Sequence, residues 1–184
     1  LLMFIVIFSG FYGMYAYLTL PRQAADNRKG VSPSAMFGEL AGIDESCLQQ
    51  ARSCGPTTEL AIRSSIEKTA LGGGVLDQLL ARDASTFVNA MDEEAGNKPE
   101  SNRNQVAVLE FLANAAPHAR NEVEAEAISQ LVPLVARRQA LLQRMRREVQ
   151  IRGMLKIWLF IHVPVTVALL IALLVHIIVV FWYW

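Results

Sequence analysis

Charge is missing from both ends of this 184-residue chain. No Asp, Glu, Lys or Arg lies in Leu1 to Leu20, and none lies in Ile157 to Trp184. All 17 basic and all 17 acidic side chains fall between Pro21 and Lys156. A balance of zero excludes a nucleic-acid module driven by a basic surface. An apolar share of 53% excludes a disordered chain. Uncharged ends around a charged middle also argue against a simple globular domain. Cysteine is scarce: Cys47 and Cys54 are the only two, and no C-x-x-C-H occurs, so covalent c-type haem is not expected. Neither G-x-x-x-x-G-K-[S/T] nor G-x-G-x-x-G surrounds Gly72-Gly73-Gly74, so these glycines do not cradle a phosphate. Alternating β-branched runs are few, and strands are not expected.

The uncharged ends themselves carry the first positive signal. A helix needs roughly 20 apolar residues to cross a hydrocarbon core, and residues 1–20 and 155–184 both qualify. The first stretch competes with a signal peptide. It exceeds the ~7–15 residues of a signal core and has no clear small-x-small cleavage site. Phe11, Tyr12, Tyr15 and Tyr17 crowd its C-terminal half as an interfacial aromatic belt would. The expectation is an all-α membrane protein, with two transmembrane helices flanking a helical extramembrane domain. A linker over 21–34 leads into that domain, which spans 35–152.

Arg22, Arg28 and Lys29 follow the first span. Arg137, Arg138, Arg144, Arg146, Arg147, Arg152 and Lys156 precede the second. The positive-inside rule then places the domain on the cytoplasmic side of a cell inner (plasma) membrane. The cysteines argue the other way, since an even pair in an exported domain often forms a disulfide. Seven residues apart on one helix, however, they sit ~10 Å apart along the axis, too far to bond. Two buried thiols, a disulfide and part of a metal site stay open as readings.

Within the domain, helices are expected near 43–53, 57–70, 75–94, 103–116 and 121–152. Thr57 or Thr58 is a candidate N-cap after Pro56. Leu76, Leu79, Leu80, Phe87, Val88 and Met91 lie at helical spacing and are expected in the core. Glu122, Glu124 and Glu126 open the last soluble helix and arginines close it, as the helix dipole favours. Pro133 is a candidate bend. The arginines also suit anionic lipid head groups.

Two of the three histidines share the second span. His162 and His176 are fourteen residues apart, which leaves them ~40° apart around the axis and ~21 Å apart along it. One lies toward each leaflet and both point to one side. Polar groups within a bilayer are costly and mark functional sites, and imidazole is a good axial ligand for haem iron. Pro164 opens the backbone beside His162, and Ala168 and Ala172 permit close helix approach.

The stretch Leu155 to Trp184, with its His162-x13-His176 spacing, resembles the haem-binding helix of dihaem b-type cytochrome membrane subunits. The resemblance covers about thirty residues. It implies that His162 and His176 are iron ligands to two different haem b groups, with a second helix supplying the other ligands. Four imidazoles are needed, and His118 lies in the extramembrane domain. The missing ligands then come from other membrane subunits, from a second copy or from helices upstream of Leu1. Arg147, Arg152 and Lys156 are candidates to pair with haem propionates, or with lipid phosphate.

The function expected is a membrane subunit of an electron-transfer complex that passes electrons between quinone and a soluble redox protein, with no nucleic-acid partner. The rival is a non-redox accessory subunit that docks partner proteins at the membrane. A membrane sensor is a third reading. The domain carries no catalytic constellation, so the chain alone is not expected to be a complete enzyme.

Overall fold

The computed structural model describes residues 2–28, 30–71, 77, 80, 82–90 and 98–183, and it is mostly helical. Among the described residues, five α-helices and one short strand pair follow in chain order. α1 covers Leu2–Arg28 and α2 Pro33–Ala51, extended by a 3-10 turn over Arg52–Cys54. α3 covers Pro56–Glu67. β1, Thr86–Val88, pairs antiparallel with β2, Pro99–Ser101, placing Phe87 opposite Glu100. A 3-10 turn over Arg103–Gln105 leads into α4, Val106–Ala115, and α5 runs unbroken over Glu122–Tyr183. At 1.5 Å per residue α5 is ~93 Å long.

Most of the expected 21–34 linker is helix. α1 continues through Pro21 to Arg28 because its last turns are tied to α5: the Asn27 amide donates to the Arg144 carbonyl at 2.8 Å, and Arg28 pairs with Glu148 at 3.1 Å. The turn that remains contains Gly30, whose φ of 80° suits glycine. Ser32 then caps α2, its hydroxyl accepting from the Ala35 amide at 3.1 Å, with Pro33 as the first helical residue.

The expected cap of α3 is also displaced. Gly55, not Thr57 or Thr58, is the N-cap, and Pro56 opens the helix. A side chain at Gly55 would press into the Arg120–Glu124 pair, and its φ of 85° is left-handed. α5 opens with Glu122 and Glu124, as the dipole argument expects, and continues through Pro133.

Strands were not expected, yet Thr86-Phe87-Val88 is extended. Its amides find partners off-ladder: Val88 N–H donates to the Ser64 hydroxyl at 2.9 Å and Thr86 N–H to the Lys68 carbonyl at 3.3 Å. Of the helix expected over 75–94, positions 75, 76, 78, 79, 81 and 91–94 lie outside the described residues. The same holds for Leu76, Leu79 and Met91 of the expected core, and for Gly72-Gly73-Gly74. Phe87 and Val88 are buried, whereas Leu80 is 60% exposed. Phe87 meets Phe111 edge to face, with ring centroids 6.2 Å apart.

One core joins α2, α3, α4 and the first half of α5, through Ile43, Cys47, Ile62, Phe111, Leu131 and Leu142 among others. Two arginines of α5 also point inward. Arg138, 2% exposed, donates from Nε to Asp44 at 2.6 Å, from Nη1 to Gln105 at 2.7 Å and from Nη2 to Thr69 at 2.8 Å. Arg146 pairs with Asp83 at 2.8 Å and donates to the Ala70 carbonyl and the Ser85 hydroxyl, each at 3.2 Å. Burial favours its neutral form and Asp83 opposes that shift. These two side chains therefore bind the domain together rather than reaching lipid.

A smaller cluster joins α1 to α5, where Ala16, Leu20 and Ala24 meet Ile151 against Met154 and Leu155. The helices run antiparallel, and small residues let them approach closely. From Ile157 onward α5 is mostly apolar and without charge, and none of its most apolar stretch is buried. Both α1 and α5 are long and apolar enough to cross a membrane.

Candidate functional site

His162 and His176 lie on one unbroken helix, as their spacing requires, but their surroundings differ. His162 is half-buried where α1 crosses α5; His176 is exposed. The Ser9 hydroxyl contacts His162 Nδ1 at 2.8 Å and donates to the Val6 carbonyl at 3.0 Å. The Trp158 indole stacks on the imidazole, centroids 4.9 Å apart and planes 19° apart, and its N–H donates to the Ser9 carbonyl at 3.0 Å. On the far side of the ring, Thr166 Oγ1 lies 3.4 Å from Nε2 and donates to the His162 carbonyl at 2.8 Å.

Local sequence explains this notch. Gly13 stands one turn from Ser9, and a Cβ there would run into the Trp158 ring. Trp158 and His162 stand one turn apart on α5, so both face the same stripe of α1. His176 has no polar partner among the described residues, and the antiparallel register carries it past Leu2, where no described α1 residue stands opposite.

The basic positions are dispersed. Arg152 donates to Glu148 from Nε at 3.0 Å and from Nη2 at 2.9 Å, Arg147 donates to Gln150 at 2.8 Å, and Lys156 is exposed without a partner among the described residues. His118 is exposed in the domain, Nδ1 at 2.9 Å from the Asn114 carbonyl.

Both cysteines are free and buried. Burial pushes each thiol from 9.0 up to about 11; Arg138 partly offsets this at Cys47, and Glu124 adds to it at Cys54. Cys54 and His118 line a cleft of about 600 Å³ with Arg120 and Glu124. A reactive thiol needs a lowered pKa, so Cys54 is not an activated nucleophile there. Glu124 and Arg120 are committed to each other at 3.1 Å, and this bonding lowers the Glu124 carboxyl below its usual range. The cleft lies on the order of 50 Å along α5 from His162.

Sequence reasoning passed over Ser9. The signal was there: between Leu1 and Leu18 it is the one aliphatic hydroxyl in an otherwise apolar run.

Among the described residues, no three His, Cys, Asp or Glu side chains gather as a metal site. What the two apolar-half histidines could offer a bound metal group is a single imidazole at each of two positions about 21 Å apart along the helix. No family model, curated protein or solved structure matches the chain.

Proposed function

We propose that the chain is a multi-pass membrane subunit of an electron-transfer complex, with His162 and His176 as axial ligands to two haem b groups. The observation that carries this reading is a pair of imidazoles on one side of a long, otherwise mostly apolar helix. Neither side chain suits a helix that only anchors. Haem, when bound, supplies one-electron transfer between quinone and a soluble redox protein. The protein's part is to place one imidazole ~21 Å above the other, toward opposite leaflets. The remaining ligands come from a second copy or another membrane subunit. Basic residues flanking both spans, Arg22 and Arg152 among them, support a cytoplasmic side for the central domain at the plasma membrane.

One observation favours a second reading, a docking subunit without a redox role. His162 already has Ser9 and Trp158 as partners, which is how a purely structural polar residue behaves in a helix pair. A reduced-minus-oxidised optical spectrum of the purified complex separates the two. A b-type α-band that weakens in both His162→Ala and His176→Ala supports ligation. A band absent, or indifferent to both changes, leaves the docking subunit.

A further inference from the structure

We infer that Ser9 is the positioning residue for His162: its hydroxyl holds the imidazole in the tautomer protonated at Nδ1 and leaves the Nε2 lone pair free for iron. What this says of iron rests on the ligand reading above. What it says of the tautomer stands on hydrogen bonds alone.

A serine hydroxyl has one proton. The Val6 carbonyl at 3.0 Å can only accept, so the one assignment that makes both contacts hydrogen bonds sends the hydroxyl proton there and has the Ser9 oxygen accept from Nδ1 at 2.8 Å. The imidazole must then carry its proton on Nδ1. A neutral ring has only one N–H, and Nε2 is left as a lone pair. Thr166 does not fill it. The threonine proton is already on the His162 carbonyl at 2.8 Å, and 3.4 Å is too long for a good N···O bond.

The assembly around Ser9 is fixed as well as paired. Its carbonyl receives the Trp158 indole, whose ring lies flat on His162. Gly13 clears the space that the indole occupies. Helix α1 therefore contributes no ligand but sets which nitrogen of the α5 ligand is available, as an outer-shell partner of a metal-bound histidine does.

Nitrogen-15 histidine spectra of the full chain in lipid nanodiscs test this without any haem, with the His162 signals assigned by a His162→Gln difference. The expected wild-type pattern is a protonated Nδ1 and a bare Nε2. Ser9→Ala is expected to move the proton to Nε2, and Ser9→Thr, which keeps the hydroxyl, to preserve Nδ1–H. Wild-type protein protonated at Nε2, or at both nitrogens, overturns the inference, as does Ser9→Ala protein with the wild-type tautomer. The wild-type spectrum decides even where Ser9→Ala does not fold. With haem added, Ser9→Ala is expected to weaken binding at His162 by roughly 10- to 100-fold, with Ser9→Thr near wild type. Unchanged binding in a Ser9→Ala variant that has lost Nδ1–H removes the positioning role. Absence of haem from every form overturns the proposed function and leaves the tautomer result standing.

Discussion

The two halves of α5 obey opposite rules. Its first half turns Ile128, Leu131, Val135 and Leu142 inward and buries Arg138 and Arg146 with them, each guanidinium tied to partners on other elements. Its second half turns Leu, Ile and Val outward all round and half-buries only a few side chains, His162 among them. One backbone thus follows two packing rules. In water a polar group is tolerated inside only when its hydrogen bonds are met. In the apolar half the same requirement falls on the outside of the helix. His162 meets it through Ser9, and His176 has no such partner among the described residues.

The largest expected effect breaks the comparison on the watery side. Arg138→Ala leaves Asp44 without its cation and takes from Gln105 Oε1 one of its two donors, Asn102 being the other, and should destabilise the domain by about 3–5 kcal/mol. Thermal unfolding of the chain in nanodiscs would register this, while His176→Ala should leave that transition in place.

A matched pair of arginine insertions sharpens the contrast. Leu173→Arg, on the apolar half, should oppose membrane insertion by about 2.5–3.5 kcal/mol in a glycosylation-reporter assay. Ala136→Arg, at an exposed site on the first half, should change stability by no more than about 0.5 kcal/mol. Equal effects at the two sites would erase the distinction between the halves.

The thiols act only at alkaline pH. Both Cys47 and Cys54 are held protonated in the folded domain up to about pH 11, whereas an unfolded thiol ionises near 9.0. The folded state therefore binds more protons between these values, and stability should fall as pH rises from about 9 to 11. Replacing both by Ala should flatten the slope of melting temperature over that window.

Features set by composition or fixed spacing were legible in the sequence. The two apolar stretches, the acidic start of α5 and the common side of the histidines needed no tertiary information. Features set by remote partners were not. Thr86-Phe87-Val88 is too short for a period-2 pattern, and its hydrogen bonds come from Ser64 and Lys68. Pro21 reads as a helix end, yet α1 is held beyond it by Arg144 and Glu148, more than a hundred positions away. Arg138 and Arg146 read as part of a basic fringe because Asp44, Thr69 and Asp83 reveal their role only in three dimensions. Ser9 belongs to the same class: its meaning depends on an antiparallel register that no local pattern encodes.

The unbroken course of α5 joins the folded domain to the apolar half in one helix. With no loop between the folded domain and the apolar half, rotation of one is rotation of the other. Each residue added or removed between Gly153 and Ile157 would turn the histidine side by about 100° relative to the domain. The azimuth of His162 and His176 is thereby clocked to the domain, and whatever grips the domain also aims the imidazoles.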